Sequence, residues 1–282
     1  MKVIKPRDIT ETLRVLGDYG PEAKILAGGT DLVPGINLGN DRPKALVSIR
    51  QLKELDGIRE EGDALVIGSS TTHAKISRSG LLREKAGALA SASAKVGSPQ
   101  IRNLGTVGGN LCWASPAADT APALLSLGAE IVWRDGSGEH REPLASFFEG
   151  VNKTSLPAGV LVTGIAIPDA AKWTKSVFLK LGMRNAMTIS VVNVAVSVAL
   201  DAGNAVKDIN ISLGSVAPSP ILAGKAGDHL KNKKPDQEMI SAAARIAADE
   251  TSPISDMRAS AWYRHEMARV YTKNALSEAL GF

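Results

Sequence analysis

Apolar residues recur along this chain in two patterns, one typical of helices and one of buried strands. Ile9, Leu13 and Leu16 fall on one face of a predicted helix, and Asp8 three residues before Glu11 is typical of a helix start. Short uninterrupted apolar runs predict buried strands instead. In the first part of the chain these runs cover residues 24–27, 45–49, 64–68 and 129–133.

The pattern changes near residues 167–169, where longer strand-like runs begin. These runs cover residues 175–181, 191–200 and 206–213, with a hairpin connection at residues 201–205. Helical patterns cover residues 82–95, 119–127, 236–249 and 260–280. The turn pair Asp135-Gly136 predicts a further hairpin. We therefore expect an α+β chain with a nucleotide-binding part up to about residue 168, followed by a smaller domain of sheet and helices.

Two glycine pairs are the most informative local feature. Gly28-Gly29 lies in ILAGGTDL (residues 25–32), and Gly108-Gly109 lies in GTVGGNL (residues 105–111). Glycine lets backbone N–H groups approach a bulky anion, and consecutive N–H groups next to a helix start favour negative charge. Two such loops could hold one extended ligand, such as a dinucleotide pyrophosphate, from both sides. Taken singly, each pair is more often a tight turn.

Composition narrows the class of protein. A hydrophobic fraction of 44% and a charged fraction of 22% are typical of globular chains. We find no apolar run long enough for a transmembrane helix and no apolar run of a secretory signal at the start, so the sequence predicts a cytoplasmic protein. The net charge of +4 comes from scattered lysines and arginines, which does not indicate nucleic-acid binding.

Several kinds of catalytic site are disfavoured by what the sequence lacks. Cys112 is the one cysteine, which excludes an internal disulfide and an iron–sulfur site held by this chain alone. The histidines lack metal-ligand spacing, and no nucleophile elbow, Walker A loop or Gly-x-Gly-x-x-Gly fingerprint is present. We predict no metal and no catalytic residue in this chain. The pattern favours a protein that holds a cofactor with its own chemistry.

Single residues leave alternatives open. Asp119 could be the cap of the following helix, or its carboxylate could accept hydrogen bonds from a ligand. Lys180, in an apolar strand-like run, could be a surface lysine with a buried stem or could offset negative charge on a reduced ring system. His73 is interpreted as structural rather than catalytic.

Four blocks of sequence resemble one known family. The string SPQIRNLGTVGGNLC (residues 98–112), followed by ASPAAD (residues 114–119), resembles the FAD-binding subunit of molybdenum hydroxylases. This is the family of xanthine dehydrogenase and the carbon monoxide dehydrogenase medium subunit. AGGTDL (27–32), FLKLGMR (178–184) and SDMRASAWYR (255–264) resemble its other signatures, in the expected order over nearly the whole chain.

The resemblance implies an α+β fold with a two-subdomain FAD-binding domain of the PCMH/VAO type. The first subdomain would cover residues 1–57 and the second residues 58–168. A C-terminal domain with a three-stranded antiparallel sheet and helices would cover residues 169–282. FAD would lie extended between the subdomains.

The resemblance also implies which residues bind FAD. The first loop would wrap the pyrophosphate and a flavin edge, the second would hold the pyrophosphate, and three further residues would approach other parts of the cofactor. The implied set is Ile25, Leu26, Ala27, Gly28, Gly29, Thr30, Asp31, Leu32, Thr106, Gly108, Gly109, Asn110, Asp119, Val162 and Lys180.

As to function, the resemblance implies the electron-transfer subunit of a heterotrimeric molybdenum hydroxylase, arranged as a dimer of heterotrimers. A molybdopterin-binding large subunit and a small subunit with [2Fe–2S] clusters would be its partners. NAD, a quinone or oxygen would be the acceptor. The alternatives are a stand-alone two-domain flavin oxidoreductase acting on a small substrate and a non-enzymatic nucleotide-binding module.

Overall fold

The computed structural model describes all residues from Met1 to Phe282. Its strands are β1 (Lys2–Ile4), β2 (Ala23–Leu26), β3 (Ala45–Ser48), β4 (Ile58–Glu61), β5 (Ala64–Gly68), β6 (Glu130–Arg134), β7 (Glu139–Pro143), β8 (Phe148–Gly150), β9 (Lys153–Thr154), β10 (Leu161–Ile167), β11 (Lys175–Gly182), β12 (Ser190–Leu200), β13 (Val206–Gly214) and β14 (Ile221–Leu222). Its helices are α1 (Ile9–Tyr19), α2 (Leu32–Asn37), α3 (His73–Arg78), α4 (Gly80–Lys85), α5 (Gly87–Ala94), α6 (Pro99–Leu104), α7 (Val107–Trp113), α8 (Thr120–Ser126), α9 (Leu144–Phe147), α10 (Gly224–Leu230), α11 (Gln237–Asp249) and α12 (Ala261–Leu280).

The first sheet is parallel and has the order β1-β3-β2. Helix α1 begins where the sequence predicts, because the Asp8 carboxylate accepts the Glu11 N–H at 2.7 Å. Its apolar face buries Val15 and Leu16 against Val47 of the central strand. The first glycine pair follows the end of β2 after one residue, Ala27.

The second sheet is antiparallel, with the order β4-β5-β10-β6-β7. Helices α3 to α8 occur between β5 and β6 in the chain, and apolar residues of all of them except α6 share a core with this sheet. The predicted hairpin between β6 and β7 is confirmed, with Glu130 opposite Pro143 and the turn closed by the Asp135 N–H to the Gly138 carbonyl at 3.1 Å. The second glycine pair is part of this helical layer.

The third sheet is also antiparallel and has the order β11-β12-β13-β14. The predicted three-stranded sheet corresponds to β11, β12 and β13, and the two-residue strand β14 extends it by one strand. One face of this sheet buries a valine-rich core against α11 and α12. Phe178, Ala195 and Ala199 contribute to the core of the second sheet instead, so the two layers share apolar packing.

The prediction of one helix over residues 82–95 is wrong. Helix α4 ends at Lys85 and α5 begins at Gly87, with Ala86 in a non-helical conformation (φ −145°, ψ 49°). The Ala88 N–H donates to the Ser176 hydroxyl of β11 at 3.0 Å. This long-range contact holds the start of α5 against the third sheet, and the local sequence carries no sign of it.

The sequence pattern suggested that the second glycine pair lies in a loop, but the structure places it in a helix. Gly108 and Gly109 lie in the first turn of α7, which Thr106 caps by accepting the Gly109 N–H at 3.1 Å.

None of the helices combines the length and apolar character needed to cross a membrane.

Candidate cofactor site

The first glycine loop, residues 27–32, carries a row of unpaired backbone donors. It leaves β2 after Leu26, turns at Gly29 with φ +74°, and enters α2 at Leu32. The N–H groups of residues 27–32 donate no hydrogen bond to any atom of the chain. Such groups cost free energy if they are buried without an acceptor. A run of adjacent free N–H groups is a binding surface for an anion.

The two glycine-containing segments meet directly. A Cβ on Gly28 would overlap the Leu104 carbonyl oxygen and would lie 2.9 Å from the Gly105 Cα. A Cβ on Gly105 would lie 3.4 Å from the Thr30 hydroxyl. We call this contact, formed by Gly28, Thr30, Leu104 and Gly105, the seam. Because the two segments are in van der Waals contact, one ligand at the seam can reach both of them.

The second glycine pair has no comparable row of free donors. The Val107 N–H donates to the Thr71 carbonyl at 3.0 Å, and the Gly108 N–H donates to the Ser69 carbonyl at 2.9 Å. The Gly109 N–H is bound to Thr106, so Thr106 serves as a helix cap. Here the chain's own carbonyl and hydroxyl oxygens occupy the donors that we expected to face a ligand.

The glycines of this pair serve close packing and access instead. A Cβ on Gly108 would lie 2.7 Å from both Cβ and O of Ser69, so only glycine fits there. Gly109 is exposed, and a Cβ on it would meet only the Thr106 hydroxyl, at 2.9 Å. Asn110 is half-buried, and its Oδ1 accepts the Thr120 hydroxyl at 2.6 Å. Gly109 therefore offers the open backbone surface of the second segment.

Asp119 and Lys180 form a buried ion pair that joins the start of α8 to strand β11 of the third sheet. Lys180 Nζ lies 2.5 Å from Asp119 Oδ2, and the two side chains are 5% and 6% exposed. Asp119 Oδ1 accepts the Ser190 hydroxyl at 2.7 Å and the Asn193 amide at 3.1 Å. Burial raises the pKa of the Asp119 carboxyl, while Lys180 acts in the opposite direction.

The structure excludes the helix-cap interpretation of Asp119 and the surface-lysine interpretation of Lys180. Asp119 precedes α8, yet its side chain makes no capping hydrogen bond, so it does not act as a helix cap. Lys180 is not a surface lysine, because its ammonium group is buried and also donates to the Lys95 carbonyl at 3.1 Å. Whether the pair contacts a cofactor stays a prediction.

Ser190 and Asn193 were not found from the sequence. The one available signal was their polar character at the start of an otherwise apolar run that becomes β12. Both are fully buried, and Asn193 Oδ1 has no partner within the chain. Buried polar residues in an apolar strand indicate a hydrogen-bonded network, but the pattern does not say with which residues.

Val162 is not among the residues that form the seam. It is 6% exposed on β10, opposite Trp133 of β6. The next residue, Thr163, accepts the Ser69 N–H at 3.0 Å, and the Ser69 carbonyl accepts the Gly108 N–H. The central strand thus supports the second glycine pair through Ser69, while the predicted adenine contact of Val162 stays a prediction.

The residues present fit a dinucleotide such as FAD. The first loop supplies free donors for phosphate oxygens, and Gly109 leaves backbone surface open on the segment that follows the seam. No cluster of three or more His, Cys, Asp or Glu side chains is placed to hold a metal ion. The donor set is therefore that of an anion-binding site.

Comparison with known proteins agrees with this interpretation. Residues 1–170 match the family described as FAD binding domain in molybdopterin dehydrogenase, and residues 178–279 match the CO dehydrogenase flavoprotein C-terminal domain. The chain is 32% identical over 274 residues to the carbon monoxide dehydrogenase medium chain of Hydrogenophaga pseudoflava, covering 97% of this chain and 95% of that protein. It is also 32% identical over 274 residues to the xanthine dehydrogenase FAD-binding subunit of Escherichia coli O157:H7, covering 96% and 93%.

The fold of the chain also matches that of a solved relative. The solved structure of carbon monoxide dehydrogenase from Hydrogenophaga pseudoflava, which lacks the Mo-pyranopterin moiety of its molybdenum cofactor, superposes with a TM-score of 0.95 at 32% sequence identity. The match covers 100% of this chain and 97% of that one. The chain belongs to the family of FAD-binding subunits of molybdopterin dehydrogenases. It is an FAD-binding oxidoreductase subunit, as the resemblance in the sequence implied.

Proposed function

We propose that the chain is the electron-transfer subunit of a heterotrimeric molybdenum hydroxylase. Its partners are a large subunit with molybdopterin and a small subunit with [2Fe–2S] clusters, assembled as a dimer of heterotrimers. The observation that supports this most is the row of unpaired N–H groups at residues 27–32, packed at the seam against Leu104 and Gly105, which precede the second glycine pair. Such a site binds a cofactor without supplying acid–base groups of its own.

The residues of the site divide the work of holding FAD. The N–H groups of residues 27–32 bind phosphate oxygens, and Ile25 and Leu26 anchor that loop to the first sheet through β3. Thr106, Gly108, Gly109 and Asn110 form the opposite wall, where Gly109 leaves room for close approach. Bound FAD would supply the chemistry of electron transfer between the partner's clusters and an acceptor such as NAD, a quinone or oxygen.

Three further residues complete the proposal. Lys180 lies near the flavin ring, held in place by its buried pair with Asp119, whose contact with a polar group of FAD is part of the same proposal. Val162 lies near the adenine.

The test is to purify the protein from its native source under non-denaturing conditions and to measure its chain composition, flavin, molybdenum and iron. Two co-purifying chains, bound FAD, molybdenum and iron are expected. A single flavin-containing chain that oxidises a small substrate unaided would contradict the proposal and support the stand-alone oxidoreductase. Mixing the reduced complex with NAD, a quinone or oxygen then identifies the acceptor from the fastest return of flavin absorbance.

A further inference from the structure

His73 lies behind the seam. It is the first residue of α3 and is 2% exposed. Its N–H donates to the Gly105 carbonyl at 3.0 Å. A Cβ built on Gly105 would lie 3.3 Å from His73 Cδ2 and 3.4 Å from the Thr30 hydroxyl. The imidazole edge that carries Cδ2 and Nε2 therefore faces the meeting point of the two glycine-containing segments.

Neither imidazole nitrogen has a hydrogen-bond partner in the chain. Nδ1 is buried without a partner, whereas Nε2 is not sealed from solvent. Burial, together with the nearby Arg102 guanidinium, lowers the pKa of His73 to about 4. The ring is neutral at neutral pH and carries one proton. Because a buried N–H without an acceptor is costly, that proton belongs on Nε2, which can reach a ligand or water.

A purely structural role explains this arrangement poorly. A buried side chain that only fills space is better served by an apolar residue, because unpaired polar atoms cost about 1–3 kcal/mol each. Here the Cδ2 edge of the ring and the Thr30 hydroxyl both lie close to Gly105, and Thr30 belongs to the first glycine loop with its row of free N–H groups. An acceptor for the Nε2 proton is thus expected near the seam, where this loop binds its anion.

We propose that His73 is a binding residue of the cofactor site, and that its Nε2–H donates a hydrogen bond to a phosphate oxygen of FAD at the seam. The proposal rests on the proposed function, since it requires FAD to lie between the two glycine-containing segments. It adds a side-chain donor to a site otherwise made of backbone N–H groups. It also gives α3 a role in holding the cofactor.

The test compares three variants of the full chain: His73→Gln, His73→Asn and His73→Leu. A glutamine side-chain amide reaches about as far as Nε2, asparagine reaches only about as far as Nδ1, and leucine has no donor. FAD affinity is measured by flavin fluorescence on apoprotein. We expect about 10- to 100-fold weaker binding for His73→Leu and His73→Asn, and near wild-type binding for His73→Gln.

Two further measurements distinguish a hydrogen bond to FAD from a purely structural role of His73. The ³¹P signals of bound FAD are expected to move in His73→Leu relative to wild type, and thermal unfolding of the apoproteins shows whether the variants fold alike. Wild-type affinity and unchanged ³¹P signals in His73→Leu would overturn the inference. Should that variant not fold, the ¹⁵N signal of His73 Nε2 in the wild-type chain decides, since no change on adding FAD overturns it too. A wild-type chain that binds no FAD refutes the proposed function instead.

Discussion

The two glycine pairs look alike in sequence and differ in what their backbones offer. Residues 27–32 present unpaired N–H groups, whereas the N–H groups of residues 107–109 are bound to Thr71, Ser69 and Thr106. The first is a loop with a donor row, and the second is the braced start of a helix. A glycine pair thus shows that backbone must come close to something, but the hydrogen bonds decide whether that something is a ligand or the protein itself.

The largest expected effect is at Gly28. In Gly28→Ala the new methyl group overlaps the Leu104 carbonyl, so the first loop must move off the seam and its donors lose their alignment. We expect FAD affinity to fall by about 1,000-fold, through loss of several hydrogen bonds to charged oxygens. Flavin fluorescence titration of the apoprotein measures it.

Gly17→Ala is the matched control for that variant. Gly17 lies in α1 with nothing within 4 Å of a Cβ, so alanine is expected to leave FAD affinity unchanged and to stabilise the chain by about 0.5–1 kcal/mol. Equal FAD affinity in Gly28→Ala and Gly17→Ala would show that the seam does not shape the site.

Gly108→Ala tests the other side of the comparison. Its methyl group meets Ser69, which is held between β10 and α7, so the cost falls on folding. We expect the free energy of unfolding to drop by about 1–3 kcal/mol, with a smaller loss of FAD affinity than in Gly28→Ala. Urea unfolding of the apoprotein and FAD titration are measured side by side. The reverse ranking of the two variants in affinity would break the comparison.

His73, which lies behind the seam, gives the folded chain a pH-dependent stability. Its pKa is lowered from 6.5 to about 4 in the folded chain, so the unfolded chain binds the proton first as pH falls. Stability is therefore lost as pH drops from 6.5 towards 4, by on the order of 2 kcal/mol between pH 7 and pH 5. Urea unfolding of wild type and His73→Gln at both pH values measures this loss. An identical pH dependence in the two proteins would show that His73 does not cause it.

The smallest effect is expected at the cap of α7. Thr106→Val keeps the side-chain shape and removes the acceptor for the Gly109 N–H, which should cost about 1 kcal/mol of unfolding free energy. Thr106→Ser keeps the acceptor and should behave like wild type. Equal destabilisation by both substitutions would show that the hydrogen bond from Gly109 to Thr106 does not stabilise the protein.

Local patterns predicted the local structures well. Asp8 and the apolar face behind it define α1, and the turn at Asp135 defines the β6–β7 hairpin. Both depend on residues close together in the chain. The break at Ala86 could not be predicted in this way, because Ser176, far along the chain, supplies the contact that separates α4 from α5.

The same limit applies to the site. The sequence singled out the segments with the two glycine pairs and also Asp119 and Lys180; the fold places Gly28 against Leu104 and Gly105, and it pairs Asp119 with Lys180. It did not show that Asp119 and Lys180 pair with each other, nor that Ser190 and Asn193 complete the network, because these contacts join two domains. Nor could it show which glycine N–H groups are free, since Ser69 and Thr71 occupy donors from a distant part of the chain.

Amide hydrogen exchange at residue resolution, with and without FAD, tests the difference between the two pairs most directly. The N–H groups of residues 27–32 are expected to exchange fast in the apoprotein and to become at least about 10-fold slower with FAD, whereas those of Val107, Gly108 and Gly109 should be protected in both states. Protection gained at residues 107–109 with none at residues 27–32 would contradict the account.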